Sequence, residues 1–207
     1  MNKNKTKNLA VMSLFIAIEI LMVMVPFLGF IPIGPINATT LHIPVIIAGI
    51  VLGKEKGASI GLVFGLSSLM NATINFSATS FIFSPFYSGS LWSAVIAIVP
   101  RVLIGYVAGL IYEIIKERNQ NIAMIVGSFL GSLTNTILVM GGIYFIFGSE
   151  YASAIGSNYE QLLPIILGVV TTNGIIEAIL GTIISFMVSR VLIKIYKWKE
   201  VCLCQKK

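Results

Sequence analysis

The sequence predicts an all-α integral membrane protein with six transmembrane helices, both termini in the cytoplasm, and an outer lid loop between helices one and two. Three observations support this prediction. The 207 residues are 57% hydrophobic and only 11% charged, whereas soluble domains carry about 25% charged residues. Long apolar runs alternate with short connections. The basic residues cluster on every second connection, which is typical of a polytopic membrane protein.

Six apolar runs can be read along the chain, and they cover residues 9–26, 39–53, 57–72, 91–115, 121–147 and 162–196. A membrane-crossing helix needs about 20 apolar residues, so runs two and three are short and are expected to lean on loops or to thin the bilayer locally. Together the runs form a single membrane domain over residues 9–197, between cytoplasmic tails at 1–8 and 198–207.

The sixth run is too long for one crossing. As a continuous helix it would extend about 52 Å, against a hydrocarbon core of about 30 Å. Asn173 and Gly174 favour a turn, so we expect the helix to break there. A short outer segment over 160–172 would then precede a spanning helix from about residue 174 to residue 196.

The positions of the basic residues predict how the chain is oriented in the membrane. Lys and Arg precede run one, separate run two from three and run four from five, and end the chain. The connections 27–38, 73–90 and 148–161 carry none. The positive-inside rule therefore places both termini in the cytoplasm of a protein in the cell membrane. The net charge of +6 is explained by this topology, and no nucleic-acid partner is predicted.

Several kinds of chemistry are excluded or disfavoured. The sequence contains no Asp and one His, so it has no zinc-protease motif, and it lacks the phosphate-binding loop of ATPases. Cys202 and Cys204 form a poor metal site without other ligands nearby. We expect no metal, no cofactor and no enzymatic activity. An intramembrane enzyme would need His42 or Glu177 as its base, and nothing in the sequence orients a nucleophile beside either one.

Four ionisable residues lie within or beside the apolar runs: Glu19, His42, Arg101 and Glu177. A charge at the centre of a membrane helix costs about 2.5–3.5 kcal/mol, so such residues are usually paired or functional. For Glu19 we expect a neutral or hydrogen-bonded carboxyl facing another helix. His42 is either a hydrogen-bonded structural residue or a ligand contact.

Arg101 follows a proline inside run four. Pro100 removes one backbone donor and frees a carbonyl in the preceding turn. Two interpretations of Arg101 remain open. It forms an internal salt bridge with Glu177, or its guanidinium binds a ligand carboxylate, whose geometry it matches with two parallel hydrogen bonds. A partial pair with Glu177 would allow both.

The polar residues gather in the outer half of the predicted bundle, and the cytoplasmic half is bare. This asymmetry predicts an outward-facing pocket, because an ion pore would need polar groups along its whole length. We expect six residues to contact the substrate: His42, Asn71, Phe83, Arg101, Asn173 and Glu177.

Two further regions have predicted roles. The first outer connection, "PFLGFIPIGPINATT", is uncharged and stiffened by prolines, which indicates a lid packed over the pocket; Phe30, Pro32 and Asn37 represent it. Ser13 and Ala17 form a small-residue pair on helix one that is suited to docking a partner. Gly57, Gly61 and Gly65 form a second series, expected to pack within the chain.

The segments "PIGPINATTLHIPVIIAGIVLGKEKGASIGLVFGLSSLMNAT", "TSFIFSPF" and "VPRVLIGYVAGLIYE" resemble the substrate-binding S components of energy-coupling factor (ECF) vitamin transporters. The resemblance covers residues 9–197 and is nearest to the branch for pantothenate, or for hydroxymethylpyrimidine and pyridoxine. It implies six transmembrane helices, a lid between the first two, and a vitamin pocket near the outer face.

The resemblance also implies partners: a transmembrane coupling subunit and two ATPase subunits, which the S component joins through an A-x-x-x-A type face on helix one. Ser13 stands in the first place of that motif here. The proposed transport motion is a toppling of the S component in the bilayer. Pantothenate is the first choice of substrate, since its carboxylate suits Arg101. Pyridoxine or hydroxymethylpyrimidine is the second choice and would leave Arg101 paired with Glu177. A stand-alone carrier or a membrane scaffold is the alternative of another class.

Overall fold

The computed structural model describes residues 3–33 and 36–204, with side chains described for 8–25, 28–29 and 39–195. In chain order the elements are α1 (Lys3–Met24), α2 (Pro26–Gly29), β1 (Phe30–Ile33), β2 (Ile36–Thr39), α3 (Ile43–Leu52), α4 (Lys54–Ile74), a 3₁₀ turn (Ser80–Ile82), α5 (Pro85–Ser88), α6 (Trp92–Ile115), α7 (Gln120–Ala154), α8 (Tyr159–Val169), a π-helical turn (Val170–Gly174) and α9 (Ile175–Cys204).

Among the described residues, four helical segments are long and apolar enough to cross a membrane: Lys54–Ile74, Trp92–Ile115, Gln120–Ala154 and Tyr159–Ile195. Asn8–Met24 and Ile43–Leu52 are apolar but shorter. The predicted crossings are therefore supported for the last four runs by length and composition. A crossing by each of the first two runs, and the side on which the termini lie, stay predictions.

The segment expected to be the lid loop contains a short β-hairpin, and the other described elements of the chain are helical, as the all-α prediction requires. Strands β1 and β2 pair antiparallel, with Phe30 opposite Thr39 and Pro32 opposite Asn37. A proline is compatible with a two-stranded hairpin because each strand has an unpaired edge that needs no ladder donor. The hairpin continues directly from α2 and leads through Thr40 into α3. The hairpin end of the bundle is defined here as the end that carries β1, β2, the 3₁₀ turn and the π-helical turn.

The break expected in run six at Asn173 and Gly174 is a change of helix type rather than a turn. Residues Val170–Gly174 make a π-helical turn between α8 and α9, so the chain does not leave the helix path at Asn173. Such turns widen the backbone locally and occur often at functional sites. A Cβ atom at Gly174 would lie 2.7 Å from Cγ2 of Thr136, so glycine permits α7 and the π-helical turn to approach closely.

Helix α6 lies inside the bundle, packed against α3, α4 and α7, while α9 packs against α3 and α7. The glycine series of α4 makes the closest of these contacts. A Cβ at Gly57 would lie 2.8 Å from the carbonyl oxygen of Gly105, and one at Gly65 would lie 2.8 Å from Cα of Ile98. The predicted packing of these glycines within the chain is confirmed, and it fixes the backbone of α6 around Arg101.

Two apolar clusters make up the buried core. The first joins α3, α4 and α6 through side chains such as Ile46, Ile60 and Ile104. The second joins α6, α7 and α8 at the hairpin end, with Ile96, Val139 and Leu162 among its members. The cavity described next touches both clusters, because Phe64 of the first and Val139 of the second line its wall.

Candidate functional site

A cavity of about 500 Å³ opens at the hairpin end of the bundle. Its volume lies within the range of about 300–1,000 Å³ that is usual for small-molecule sites. All six residues predicted to contact the substrate line it: His42, Asn71, Phe83, Arg101, Asn173 and Glu177. The sequence prediction therefore brought together residues from five separate segments that the fold places around one cavity.

Polarity separates this cavity from an opening of similar size elsewhere. An opening of about 510 Å³ between α1, α3 and α9 is lined by apolar side chains alone, including Leu14, Pro44 and Val188. That surface suits lipid or another apolar helix. The cavity at the hairpin end instead presents amides, hydroxyls and one charge of each sign, which suits a small polar molecule.

Arg101 is held in place by the proline that precedes it. Pro100 lies inside α6 and cannot donate to the carbonyl of Ile96 four residues earlier. The Nη1 atom of Arg101 donates to that carbonyl oxygen instead, at 3.0 Å. Its Cζ atom lies 4.9 Å from the ring centroid of Phe83 and 5.6 Å from that of Phe64. One donor is therefore used in orienting the side chain.

The remaining donors of Arg101 are available to a ligand. A guanidinium has five N–H groups, and the Nε atom is buried without a hydrogen-bond partner among the described residues. Only 7% of the residue is exposed, and it is the one buried cation among the described side chains. A buried guanidinium with unused donors is suited to a carboxylate, which accepts two of them in parallel.

Of the two interpretations of Arg101, the salt bridge with Glu177 is not formed in the described part of the chain. Among the described residues the structure has one salt bridge, between Lys54 and Glu113. Glu177 Oε1 instead accepts a hydrogen bond of 2.8 Å from the backbone N–H of Thr39, at the end of β2. The physical reason is the packing, since α6 and α9 each pack against α3 and α7 rather than against each other.

His42 forms part of the floor of the cavity. It is 2% exposed, and its Nε2 atom lies 3.0 Å from Oγ of Ser132 on α7. Gly181 makes room for the ring, because a Cβ there would lie 2.8 Å from Nε2. The Nδ1 atom is buried without a partner in the described part of the chain. Both interpretations of His42 thus have support: one nitrogen is structural and the other is unused.

The amides differ in how they are held. Asn75 Nδ2 donates to Oδ1 of Asn71 at 2.6 Å, which leaves the Asn71 amide donors for the cavity. Asn173 Oδ1 accepts from the hydroxyl of Thr172 at 3.3 Å. Asn135 also lines the cavity, and its Oδ1 is buried without a partner among the described residues. Asn135 was missed as a site residue, although an isolated amide in an apolar run was the available signal.

The remaining predicted residues belong to the hairpin and to α1. The backbones of Phe30, Pro32 and Asn37 form the hairpin, and their side chains fall outside those described. Ser13 and Ala17 are exposed on α1, where the Ser13 hydroxyl donates to the carbonyl of Leu9 at 2.9 Å. Glu19 is fully buried, as expected. The hydrogen bond that was one alternative for it is absent among the described residues, since neither of its oxygens has a partner there.

The opposite half of the bundle is not completely bare. The hydroxyls of Ser128 on α7 and of Ser185 and Ser189 on α9 are buried without partners in the described part of the chain. They are isolated groups rather than a continuous path. Within the described residues no three His, Cys, Asp or Glu side chains lie close enough together to hold a metal ion.

Comparison with known proteins identifies the family. The family described as ECF transporter, substrate-specific component, matches residues 7–189. The chain belongs to this family. It is therefore a membrane-embedded S component with a role in transport, and the resemblance inferred from its sequence is confirmed.

Two relatives of this S component align with it over most of their length. The pantothenic acid transporter PanT of Lactococcus lactis subsp. cremoris is 37% identical over 193 residues, which cover 89% of this chain and 93% of the relative. The pantothenate transporter PanT of Leuconostoc mesenteroides subsp. mesenteroides is 31% identical over 205 residues, covering 94% of this chain and 96% of the relative.

Proposed function

We propose that this S component binds pantothenate in the cavity at the hairpin end and delivers it to an ECF-type importer. The observation that carries the proposal is Arg101, a buried guanidinium that lines the cavity with donors unused. Pantothenate has a carboxylate at one end, an amide in the middle and two hydroxyls at the other end. The two relatives that are named as pantothenate transporters support this choice of substrate.

Each part of pantothenate has a suitable group in the cavity. In the proposed complex Arg101 binds the carboxylate through a charge-assisted pair of hydrogen bonds. Phe83 and Phe64, whose rings already flank the guanidinium, cover the adjacent methylene groups. Asn71, Asn135 and Asn173 supply amide groups for the central amide and the hydroxyls.

A vitamin with a neutral ring fits the observed contacts less well. In that alternative Arg101 would be neutralised by Glu177, and the two residues form no such pair in the structure. A neutral ligand such as pyridoxine would then leave a buried guanidinium without a counterion, which is costly. The absence of the pair among the described residues therefore favours a ligand that carries its own carboxylate.

The membrane arrangement of this proposal is six crossings with both termini in the cytoplasm. The distribution of basic residues supports it. The hairpin end would then face outward, with β1 and β2 as the lid over the cavity. Helix α3 is shorter than the helices that pack against it, and α1 is one of these helices.

Energy for uptake would come from partners, because the chain has no nucleotide-binding motif. The proposed partners are a transmembrane coupling subunit and two ATPase subunits. The exposed Ser13 and Ala17 on α1 are the proposed docking residues, since small side chains let a partner helix approach closely. The neighbouring apolar opening along α1 supplies further surface for such a contact.

Direct binding tests the substrate. The purified protein in detergent would be titrated by calorimetry with pantothenate, pyridoxine and hydroxymethylpyrimidine. Tight binding of pantothenate alone is expected, and tight binding of either ring compound instead would reject the carboxylate argument.

Uptake into proteoliposomes tests the class. We expect pantothenate to accumulate only when the coupling subunit, the ATPases and ATP are present. Uptake by the isolated chain without an ATPase module would favour the stand-alone carrier.

A further inference from the structure

Glu177 is the charged group in the cavity whose role the proposed function leaves open. It is half-buried on the first turn of α9, three residues beyond the π-helical turn. Its Oε1 accepts the backbone N–H of Thr39 at 2.8 Å, so the last residue of the hairpin holds the carboxyl group in position. The Thr39 side chain also lies close to this carboxyl group, and the Glu177 side chain lines the cavity.

Arg101 and Glu177 stand at separate walls of the cavity. The Arg101 wall is made by α4, α6 and the segment after the 3₁₀ turn, because Phe64 and Phe83 flank the guanidinium. The Glu177 wall is made by α9 and the end of β2. Helices α3 and α7 pack against both α6 and α9. His42, which precedes α3, and Asn135 of α7 also line the cavity.

This separation gives the cavity a positive end and a negative end. A ligand carboxylate gains hydrogen bonds and attraction at Arg101, and it meets repulsion at Glu177. Hydroxyl groups have the opposite preference, because a carboxylate oxygen accepts their protons in charge-assisted hydrogen bonds. A ligand that is acidic at one end and hydroxylated at the other can satisfy both walls in one orientation only.

We propose that Glu177 determines specificity by accepting the hydroxyl end of the ligand and rejecting any ligand that carries a second anion there. This inference rests on the proposed function, since pantothenate has both kinds of end. In this arrangement the ligand carboxylate lies at Arg101 and the two hydroxyls lie at the carboxylate of Glu177. A phosphate ester on the primary hydroxyl would place a second anion against Glu177 and is excluded from the cavity.

Three ligands separate the two ends of the cavity. Pantothenate is the reference. Panthenol has an alcohol in place of the carboxylate and keeps the hydroxyl end. The phosphate monoester of the primary hydroxyl keeps the carboxylate and adds an anion at the other end. The wild-type protein is expected to bind pantothenate most tightly, and to bind each of the other two at least about tenfold more weakly.

The decisive variant is Glu177→Gln, which removes the charge and keeps an oxygen that accepts the Thr39 N–H. The preference for pantothenate over the phosphate ester is expected to fall about tenfold or more, while the preference over panthenol stays unchanged. Glu177→Asn, a second neutral variant, is expected to show the same loss. Glu177→Asp keeps the charge and is expected to keep the discrimination. The matched control is Glu160→Gln, because Glu160 carries an exposed carboxyl group in the first turn of α8.

Affinity ratios make the outcomes distinct, because a fraction of unfolded protein alters the number of sites and not the ratio. An equal loss of affinity for all three ligands in Glu177→Gln would make Glu177 only an anchor of the hairpin, and the inference would be wrong. A wild-type protein that binds pantothenate and its phosphate ester equally well would also overturn it. A wild-type protein that binds no pantothenate would refute the proposed function itself, and the inference with it.

Discussion

Replacement of Arg101 by methionine separates the binding role of the guanidinium from its structural role. Methionine keeps an unbranched apolar stem of similar length that can lie against Phe64 and Phe83. It removes every N–H donor and the charge. The variant therefore tests whether the cavity recognises a carboxylate or only an apolar shape.

The cost to folding is limited, as the contacts of Arg101 indicate. The change removes one hydrogen bond to the carbonyl of Ile96, which is worth about 1–3 kcal/mol when the carbonyl stays buried. It also removes two ring contacts of the cation, at about 0.5–2 kcal/mol. Removal of a desolvated charge in a membrane helix offsets these losses by about 2.5–3.5 kcal/mol. We expect stability to change by less than about 2 kcal/mol.

The cost to binding is larger, because the ligand carboxylate is left desolvated without its cation. Truncation of one partner in a buried charge pair costs about 2–5 kcal/mol, or roughly 30- to 5,000-fold in affinity. Calorimetric titration with pantothenate and thermal unfolding in the same detergent would measure both quantities. Panthenol, which has no carboxylate, is expected to lose much less affinity.

The matched control is Arg190→Met. Arg190 is an exposed arginine on α9 that also lies near a ring, with its Cζ atom 5.9 Å from the centroid of Phe186. It lies outside the cavity and is expected to leave pantothenate affinity unchanged. If Arg101→Met and Arg190→Met bind pantothenate equally well, the carboxylate assignment is refuted, and Arg101 is a structural residue that serves the Ile96 carbonyl.

Three further predictions concern packing and docking. Gly61→Ala places a Cβ against the backbone of α6, and we expect a loss of about 1–3 kcal/mol in thermal unfolding. Gly168→Ala, with open space around it, is the control, and equal unfolding temperatures would contradict the close-packing argument. Ser132→Ala removes the partner of His42 Nε2, which we expect to destabilise the protein by about 1–3 kcal/mol; an unchanged unfolding temperature would show that the contact contributes nothing. Ser13→Leu is expected to leave pantothenate binding intact and to abolish ATP-dependent uptake with the partner subunits, while Ser13→Ala keeps both activities. Normal uptake by Ser13→Leu would remove that face of α1 from the docking surface.

The site residues could be found from the sequence because the membrane makes polar residues informative. In a soluble domain an asparagine such as Asn71 would be one of many surface residues. In an apolar run a polar side chain must face protein or a water-filled space, so each one marks an interior surface. Arg101 was the clearest case, since every other basic residue belongs to a tail or connection that the positive-inside rule places in the cytoplasm. The same reasoning pointed to Asn135, which was not carried into the predicted set.

Geometry within the site could not be predicted in the same way. A pair between Arg101 and Glu177 was one of two interpretations because the two residues carry opposite charges. Contact between them depends on which helices are neighbours, and the sequence does not show this. The hydrogen bond between Glu177 and the hairpin could not be predicted either. Thr39 contributes a backbone N–H, and a backbone donor leaves no mark in the composition of a sequence. The π-helical turn kept Asn173 within a helical path where residue preferences indicated a turn.

The pairing of Pro100 with Arg101 links the fold to the proposed function. A proline inside a helix leaves a carbonyl unsatisfied four residues earlier, and in a membrane that carbonyl has no water to bind. Arg101 donates to this carbonyl from the next position in the chain, so one hydrogen bond both satisfies α6 and fixes the guanidinium. One turn further along α6, Gly57 and Gly105 meet backbone to backbone, so α4 and α6 are in close contact there. The cavity thus contains an oriented cation next to a close contact between these two helices, which is what the proposed binding of an acid requires.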